Sequence, residues 1–249
     1  MHIQRGAWAE INLDAVAHNV QMAKANLKPT TKLCAVVKAD AYGHGAVRVA
    51  QEAARNGADF FAVALLQEGV KLREAGIETP ILVLGSMLPE VAEICVRYDI
   101  SHAVFDEERL YALNAAALKL HTKAKIHIKI DTGMHRIGVH VRDAGRFAKL
   151  AASLPGIYIE GVFSHFATAD ADDKQYAAYQ FERFQEALRL IEAEGVHIPI
   201  RHIANSAALT ELQEYQLDMV RQGITLYGLH PAHMIDCYKD FEPVMTVKT

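Results

Sequence analysis

A chain of 249 residues, 51% hydrophobic and 22% charged, has the composition of an ordinary soluble globular protein, and its length suits one large α/β domain or, as the alternative, two small ones. A net charge of −4 is too balanced to point to nucleic acid or an anionic membrane as a partner. No apolar run is long enough to cross a bilayer, the opening MHIQRGAWAEINL lacks a signal-peptide pattern, and the three widely spaced cysteines (Cys34, Cys95, Cys237) make neither a zinc pattern nor a disulfide framework, so a reduced, cytoplasmic setting is expected.

In chain order, an extended run at residues 6–13 precedes a helix that begins near Asp14. An apolar strand at 33–38 leads to a helix at 44–56, whose Val47, Val49, Ala50, Ala53 and Ala54 make an apolar stripe that stops at Gly57. Strands at 59–64, 81–85 and 101–105 come next, then a helix at 107–121 and strands at 125–130 and 158–164. A long helix at 174–194 and strands at 200–203 and 223–227 complete the series. Near-continuous apolar runs such as FFAVA and ILVL suit parallel strands buried on both faces. Eight strand–helix repeats predict a (β/α)8 TIM-type barrel, with an open doubly wound sheet as the alternative. The tail FEPVMTVKT turns β-like and has only the run at 6–13 to pair with in this chain. The expected organisation is therefore a barrel domain over 1–240, with 241–249 as the first strand of a truncated C-terminal β domain.

In a barrel the chemistry sits at the C-terminal strand ends. The first strand ends in AVVKADAYGHG, residues 35–45. Lys38 there is either a surface lysine at a strand end or a reactive amine. An apolar strand would desolvate the amine and favour its neutral form. Gly43 and Gly45, just ahead of a helix, would let backbone N–H groups approach an anion. A neutral amine beside an anion site suits imine chemistry with a phosphorylated aldehyde. The fifth strand ends in HIKIDTGMHRIG, where Lys129, Asp131 and Arg136 cluster; the plain alternative is a salt-bridged strand end with a Gly turn. The sixth ends in VFSHFATAD, and a lone His165 is ordinarily a rim residue. HIANSAA places Asn205 and Ser206 before a helix, as caps or as phosphate ligands. VRQGITLYG puts Arg221, Gly223 and Ile224 where barrel phosphate sites recur. His127 and His202, inside strands, look structural. No metal site is expected, because no histidine or cysteine spacing fits one, and no dinucleotide or Walker glycine pattern is present.

AVVKADAYGHG, IKIDTGMHRIG, HIANSAA and RQGITLYG, in that order, resemble the bacterial alanine racemases of the barrel class of pyridoxal 5′-phosphate enzymes, from AWAEINLDA at residue 7 to the end of the chain. The resemblance implies interconversion of L- and D-alanine, which supplies D-alanine for peptidoglycan, in a homodimer. It implies that Lys38 anchors the cofactor and is the base on one face of the substrate. By the same resemblance Tyr42, Ser206, Gly223 and Ile224 hold the phosphate, Arg221 faces the pyridine nitrogen, and His165 supports Arg221 from behind the ring. Arg136 would contact the cofactor's phenolic oxygen and the substrate carboxylate, carbamylated Lys129 would orient Arg136, and Asn205 and Leu84 would line the pocket. In the family a second, β-rich domain lends a catalytic tyrosine to the partner's barrel. No tyrosine here takes that role, so poor activity is expected. The alternatives are a single-domain pyridoxal-phosphate homeostasis protein, a serine or broad-specificity racemase, and an assembly domain without catalysis.

Overall fold

A computed structural model describes residues 6–231 and 238–249; Cys237 and the first residues of the chain lie outside the described residues. Eight parallel strands form the barrel: β2 (Lys32–Val36), β3 (Phe60–Val63), β4 (Ile81–Val83), β5 (Ser101–Val104), β6 (Ala124–Asp131), β8 (Ile157–Phe163), β9 (Ile200–His202) and β10 (Met219–Gln222). They pair in that order, with β10 beside β2. The ring closes between β9 and β10 through Asp218 N–H to the Arg201 carbonyl at 3.0 Å and Arg221 N–H to the Ala204 carbonyl at 3.1 Å. A two-residue strand, β7 (Val139–His140), adds to the end of β6. Outside the barrel, β1 (Trp8–Ile11) pairs antiparallel with β11 (Met245–Lys248), which is the pairing expected for the tail.

Helices pack on the outside, and their ends follow local chemistry. Asn12 caps Leu13–Ala25 by accepting from Asp14 and Ala15, and Asp106 caps Glu107–Lys119 by accepting from Arg109. The helix expected from residue 44 starts at Ala46 instead, because the chain between Val37 and Gly45 does something else, described below.

One expectation fails. Residues 223–227 are not the eighth strand; that strand is Met219–Gln222, and Ile224–Tyr227 is a 3₁₀ turn. The misreading has a physical cause. The apolar run ITLY looks like a strand, whereas the true strand carries Arg221 and Gln222. Both are buried and held by hydrogen bonds: Gln222 donates to the Asn19 carbonyl at 3.1 Å, while its Oε1 has no partner among the described residues, and Arg221 enters the network described below.

Pleating sends alternate side chains inward. At the bottom of the barrel the inner layer is apolar, with Cys34, Phe60, Leu82, Ile200 and Met219 packed together. Towards the mouth it turns polar, with His127, Lys129, His202 and Arg221 all buried. Such a polar interior is costly unless every group is paired, and that places the candidate site at the mouth.

Candidate active site

The mouth holds a cavity of about 390 Å³. Every site residue that the family resemblance implies lines it: Lys38, Tyr42, Leu84, Lys129, Arg136, His165, Asn205, Ser206, Arg221, Gly223 and Ile224. Phe163, Phe166 and Met134 supply apolar wall.

Lys38 and Tyr42 sit on an unusual segment. The residues Ala39, Asp40, Ala41 and Tyr42 have φ between 51° and 56°, a left-handed turn in four successive non-glycine residues. Each costs roughly 1–2 kcal/mol against a right-handed conformation. Two carboxylates hold the turn. Glu68 accepts from the Ala39 N–H at 2.6 Å and from those of Ala64 and Leu65, while Asp40 accepts from the Ala46 N–H at 3.0 Å and from Lys71 at 3.2 Å. The anion site expected at Gly43 and Gly45 is therefore corrected: the helix start behind them is capped by Asp40, and neither glycine lines the cavity. The two glycines, at φ 86° and 88°, instead return the chain from the left-handed turn. Lys38 is half-buried, with Nζ 5.6 Å from the Tyr42 ring centroid, and Tyr42 rests against buried Tyr227 at 5.0 Å.

Across the cavity, Asn205 caps the helix Ser206–Glu211 through Ala208. The Ser206 hydroxyl accepts from the Gly223 N–H at 2.8 Å. A Cβ on Gly223 would lie 3.3 Å from the Tyr42 hydroxyl and 3.7 Å from that of Ser206. Two hydroxyls and a backbone amide thus converge on a spot kept open by the absence of a side chain.

Arg221 is fully buried. Its Nη1 donates to His202 Nδ1 at 2.6 Å, and its Nη2 donates to His165 Nδ1 at 3.0 Å and to the Ser164 and Ile203 carbonyls. Its Nε has no acceptor among the described residues, although Arg221 lines the cavity. Burial lowers the guanidinium to about 10, which leaves it a cation at neutral pH. Burial first, then the charge of Arg221, holds both His165 and His202 well below the ordinary histidine value. Burial, then Arg221, with Arg136 adding and Asp131 opposing, brings the Lys129 ammonium from 10.5 down to about 7. The Lys129 amine donates to the Ile130 carbonyl at 2.8 Å and lies over the Phe163 ring at 5.4 Å. Asp131 does not pair with Arg136. It accepts from the Gly133 and His135 amides and meets the His135 ring at 3.3 Å, so at this one residue the plain Gly-turn reading holds.

Sequence reasoning missed three residues. Phe163 stacks on His202 at 4.9 Å with a 7° interplanar angle, and the Arg221 guanidinium lies over the same Phe163 ring at 5.4 Å from its centroid. His127 and His202, read as structural, belong to the chain of hydrogen bonds behind Arg221. The signal available was parity: His127 and Lys129 are two residues apart on β6 and so share its inner face.

A parallel barrel whose mouth joins a lysine, a hydroxyl-lined cradle and a buried guanidinium defines a small-molecule enzyme scaffold of the α/β-barrel class. The family model described as "Alanine racemase, N-terminal domain" matches residues 11–231, and the chain belongs to that family. It is 46% identical over 244 residues to an alanine racemase of Desulfovibrio desulfuricans, covering 98% of this chain and 66% of the relative. It is 45% identical over 247 residues to one of Halothermothrix orenii, covering 99% of this chain and 65% of that one. Among solved structures, an alanine racemase of Clostridium difficile in complex with cycloserine superposes with a TM-score of 0.95 at 38% identity, over 99% of this chain and 68% of its own. The Bacillus anthracis enzyme with bound L-Ala-P gives 0.92 at 36%, over 99% and 64%. The chain thus spans about two thirds of the length of the relatives it matches. Among the described residues no helix is long and apolar enough to cross a membrane.

Proposed function

We propose that this chain is the cofactor-binding barrel of a pyridoxal 5′-phosphate-dependent alanine racemase. The observation that carries the reading is the convergence on one cavity of the Lys38 amine, the Tyr42–Ser206–Gly223 cradle and the unengaged Nε edge of Arg221. The residues fit the cofactor. The cradle offers neutral donors to a phosphate, and Leu84 and Phe163 offer apolar wall to a ring. Arg221 offers a donor that cannot be given up as a proton.

When bound, pyridoxal phosphate withdraws electrons from an attached amino acid and so acidifies its Cα–H. Lys38 would hold the cofactor and then take or return the proton at Cα on its own side. Tyr42, Ser206 and the backbone of Gly223 and Ile224 would grip the phosphate. Arg221 would hydrogen-bond the ring nitrogen without protonating it, which restrains competing reactions. His165 accepts from Arg221 and fixes its plane. Arg136 would bind the substrate carboxylate. Lys129 is close to half neutral near pH 7; its neutral amine can add CO₂ and lose one proton to form a carbamate, which would give Arg221 and Arg136 a counter-anion. Asn205 caps the helix that carries Ser206.

Inversion needs a proton carrier on each face. The tyrosine at this cavity, Tyr42, belongs to the cradle, so these residues supply one face. A positioned acid–base group contributes about 10²–10⁴-fold. The test is to purify the 249-residue chain, titrate it with pyridoxal phosphate, and follow D-to-L conversion and Cα hydrogen exchange in D₂O separately. A visible cofactor band with slow exchange and little inversion is expected. Absence of the band would overturn the reading, and turnover comparable to a full-length racemase would overturn the division of the two faces. The same reading expects a homodimer acting on alanine in the cytoplasm.

A further inference from the structure

We infer that Glu160 is the counter-charge of Arg221, joined to it through the barrel by His127 and His202, and that this relay positions the guanidinium for the cavity. The inference rests on the reading above only for what Arg221 faces.

Arg221 is a fully buried cation with no carboxylate among its described partners. An uncompensated buried charge is among the most expensive features a fold can carry. The compensation lies at the end of a hydrogen-bonded row. Arg221 Nη1 reaches His202 Nδ1 at 2.6 Å, His202 Nε2 reaches His127 Nδ1 at 2.9 Å, and His127 Nε2 reaches Glu160 Oε2 at 3.1 Å. Ser101 also donates its hydroxyl to Glu160.

The row can be protonated in one way only. A guanidinium has donors and no acceptor, so His202 Nδ1 must carry a lone pair. The remaining proton of neutral His202 is then on Nε2, which donates to His127 Nδ1. His127 in turn donates from Nε2 to the carboxylate. A second proton on either imidazole would set donor against donor. The row is thus an arginine–glutamate ion pair bridged by two neutral rings of fixed tautomer.

Surrounding residues are shaped to this arrangement. Phe163 lies flat on His202 and fixes its plane. Position 161 is glycine because a Cβ there would lie 2.4 Å from His127 Nδ1, the atom that accepts from His202. The β6–β8 register shifts between Ile126 and His127, at the point where that ring enters the row. Despite burial, which alone would raise it, the Glu160 carboxyl is held below its ordinary value by the His127 and Ser101 hydrogen bonds, with the Lys125 ammonium adding to them from outside the row.

Three measurements test the relay. Nitrogen NMR of histidine-labelled, cofactor-free chain, assigned with His127→Gln and His202→Gln, should show both rings neutral with the proton on Nε2; a proton on His202 Nδ1 would overturn the proposal. Next, Glu160→Gln keeps an acceptor for His127 and removes the charge. It should lower Tm by about 4–8 °C in the wild-type background and by under about 2 °C with Arg221→Met, whereas equal losses in both would show that Glu160 is not the counter-charge. Third, Glu160→Leu should weaken pyridoxal phosphate binding about tenfold, and Glu160→Gln should recover much of that, since the row stays in place. Unchanged affinity in Glu160→Leu would remove the positioning role. If the wild type takes up no cofactor, the functional reading fails, while the two cofactor-free measurements still decide the relay. The NMR result needs no variant of Glu160 to fold.

Discussion

Replacing Lys129 with Met should abolish the pH dependence that this lysine imposes. Lys129 is 3% exposed, and its ammonium falls from 10.5 to about 7 by burial and by the cations Arg221 and Arg136. The unfolded chain therefore holds a proton on this amine between those values where the folded chain has lost it. Stability must rise with pH across that window, and the full cost is present below it. Treated as one site, the cost is about 4 kcal/mol near pH 7 and about 1.5 kcal/mol near pH 9.5, a gain of about 3 kcal/mol. Met has similar length and no charge, so K129M lacks that gain. Other groups titrate in the same range, including Cys34, which burial pushes up to about 12. They are common to both proteins and cancel in the difference. The assay is thermal unfolding of cofactor-free wild type and K129M in CO₂-free buffers from about pH 7 to 9.5, where about 3 kcal/mol corresponds to roughly 6–12 °C for a chain of this size. The gap should close in favour of the wild type as pH rises. A gap that stays flat would refute the claim that Lys129 is a destabilised buried cation. Bicarbonate near neutral pH should raise the Tm of the wild type alone.

Gly161→Ala should cost about 3 kcal/mol or more, because the new Cβ would meet His127 Nδ1 at 2.4 Å and the immobile Ile200 carbonyl at 2.7 Å; urea unfolding checks this, and a change under about 1 kcal/mol would contradict the packing described. Ser206→Ala should weaken pyridoxal phosphate about tenfold or more and also lower Tm, since the hydroxyl serves both the cradle and the Gly223 amide; titration of the visible band decides, and wild-type affinity would remove Ser206 from the phosphate site.

Much of this molecule was legible in its sequence, and the failures have causes. Seven of the eight barrel strands fall where the sequence places them, several of them as near-continuous apolar runs that suit burial on both faces. The eighth was displaced because Arg221 and Gln222 break the apolar pattern while the ITLY turn mimics it. The cavity residues were found because barrel chemistry gathers at strand ends and their motifs resemble those of a known family. What no motif announced was the left-handed turn under Lys38, since alanines and an aspartate carry no mark of φ above 50°. The relay was equally hidden, because its members come from β5, β6, β8, β9 and β10 and meet only when the barrel closes.

The most direct test of the central claim is where the cofactor attaches. The chain is loaded with pyridoxal phosphate, reduced with borohydride, digested, and mapped by mass spectrometry. The pyridoxyl group is expected on Lys38, in the peptide that contains KADAYGHG, and Lys38→Ala should abolish the label there. A label on Lys129 or Lys32 instead, or one spread over surface lysines, would contradict the account.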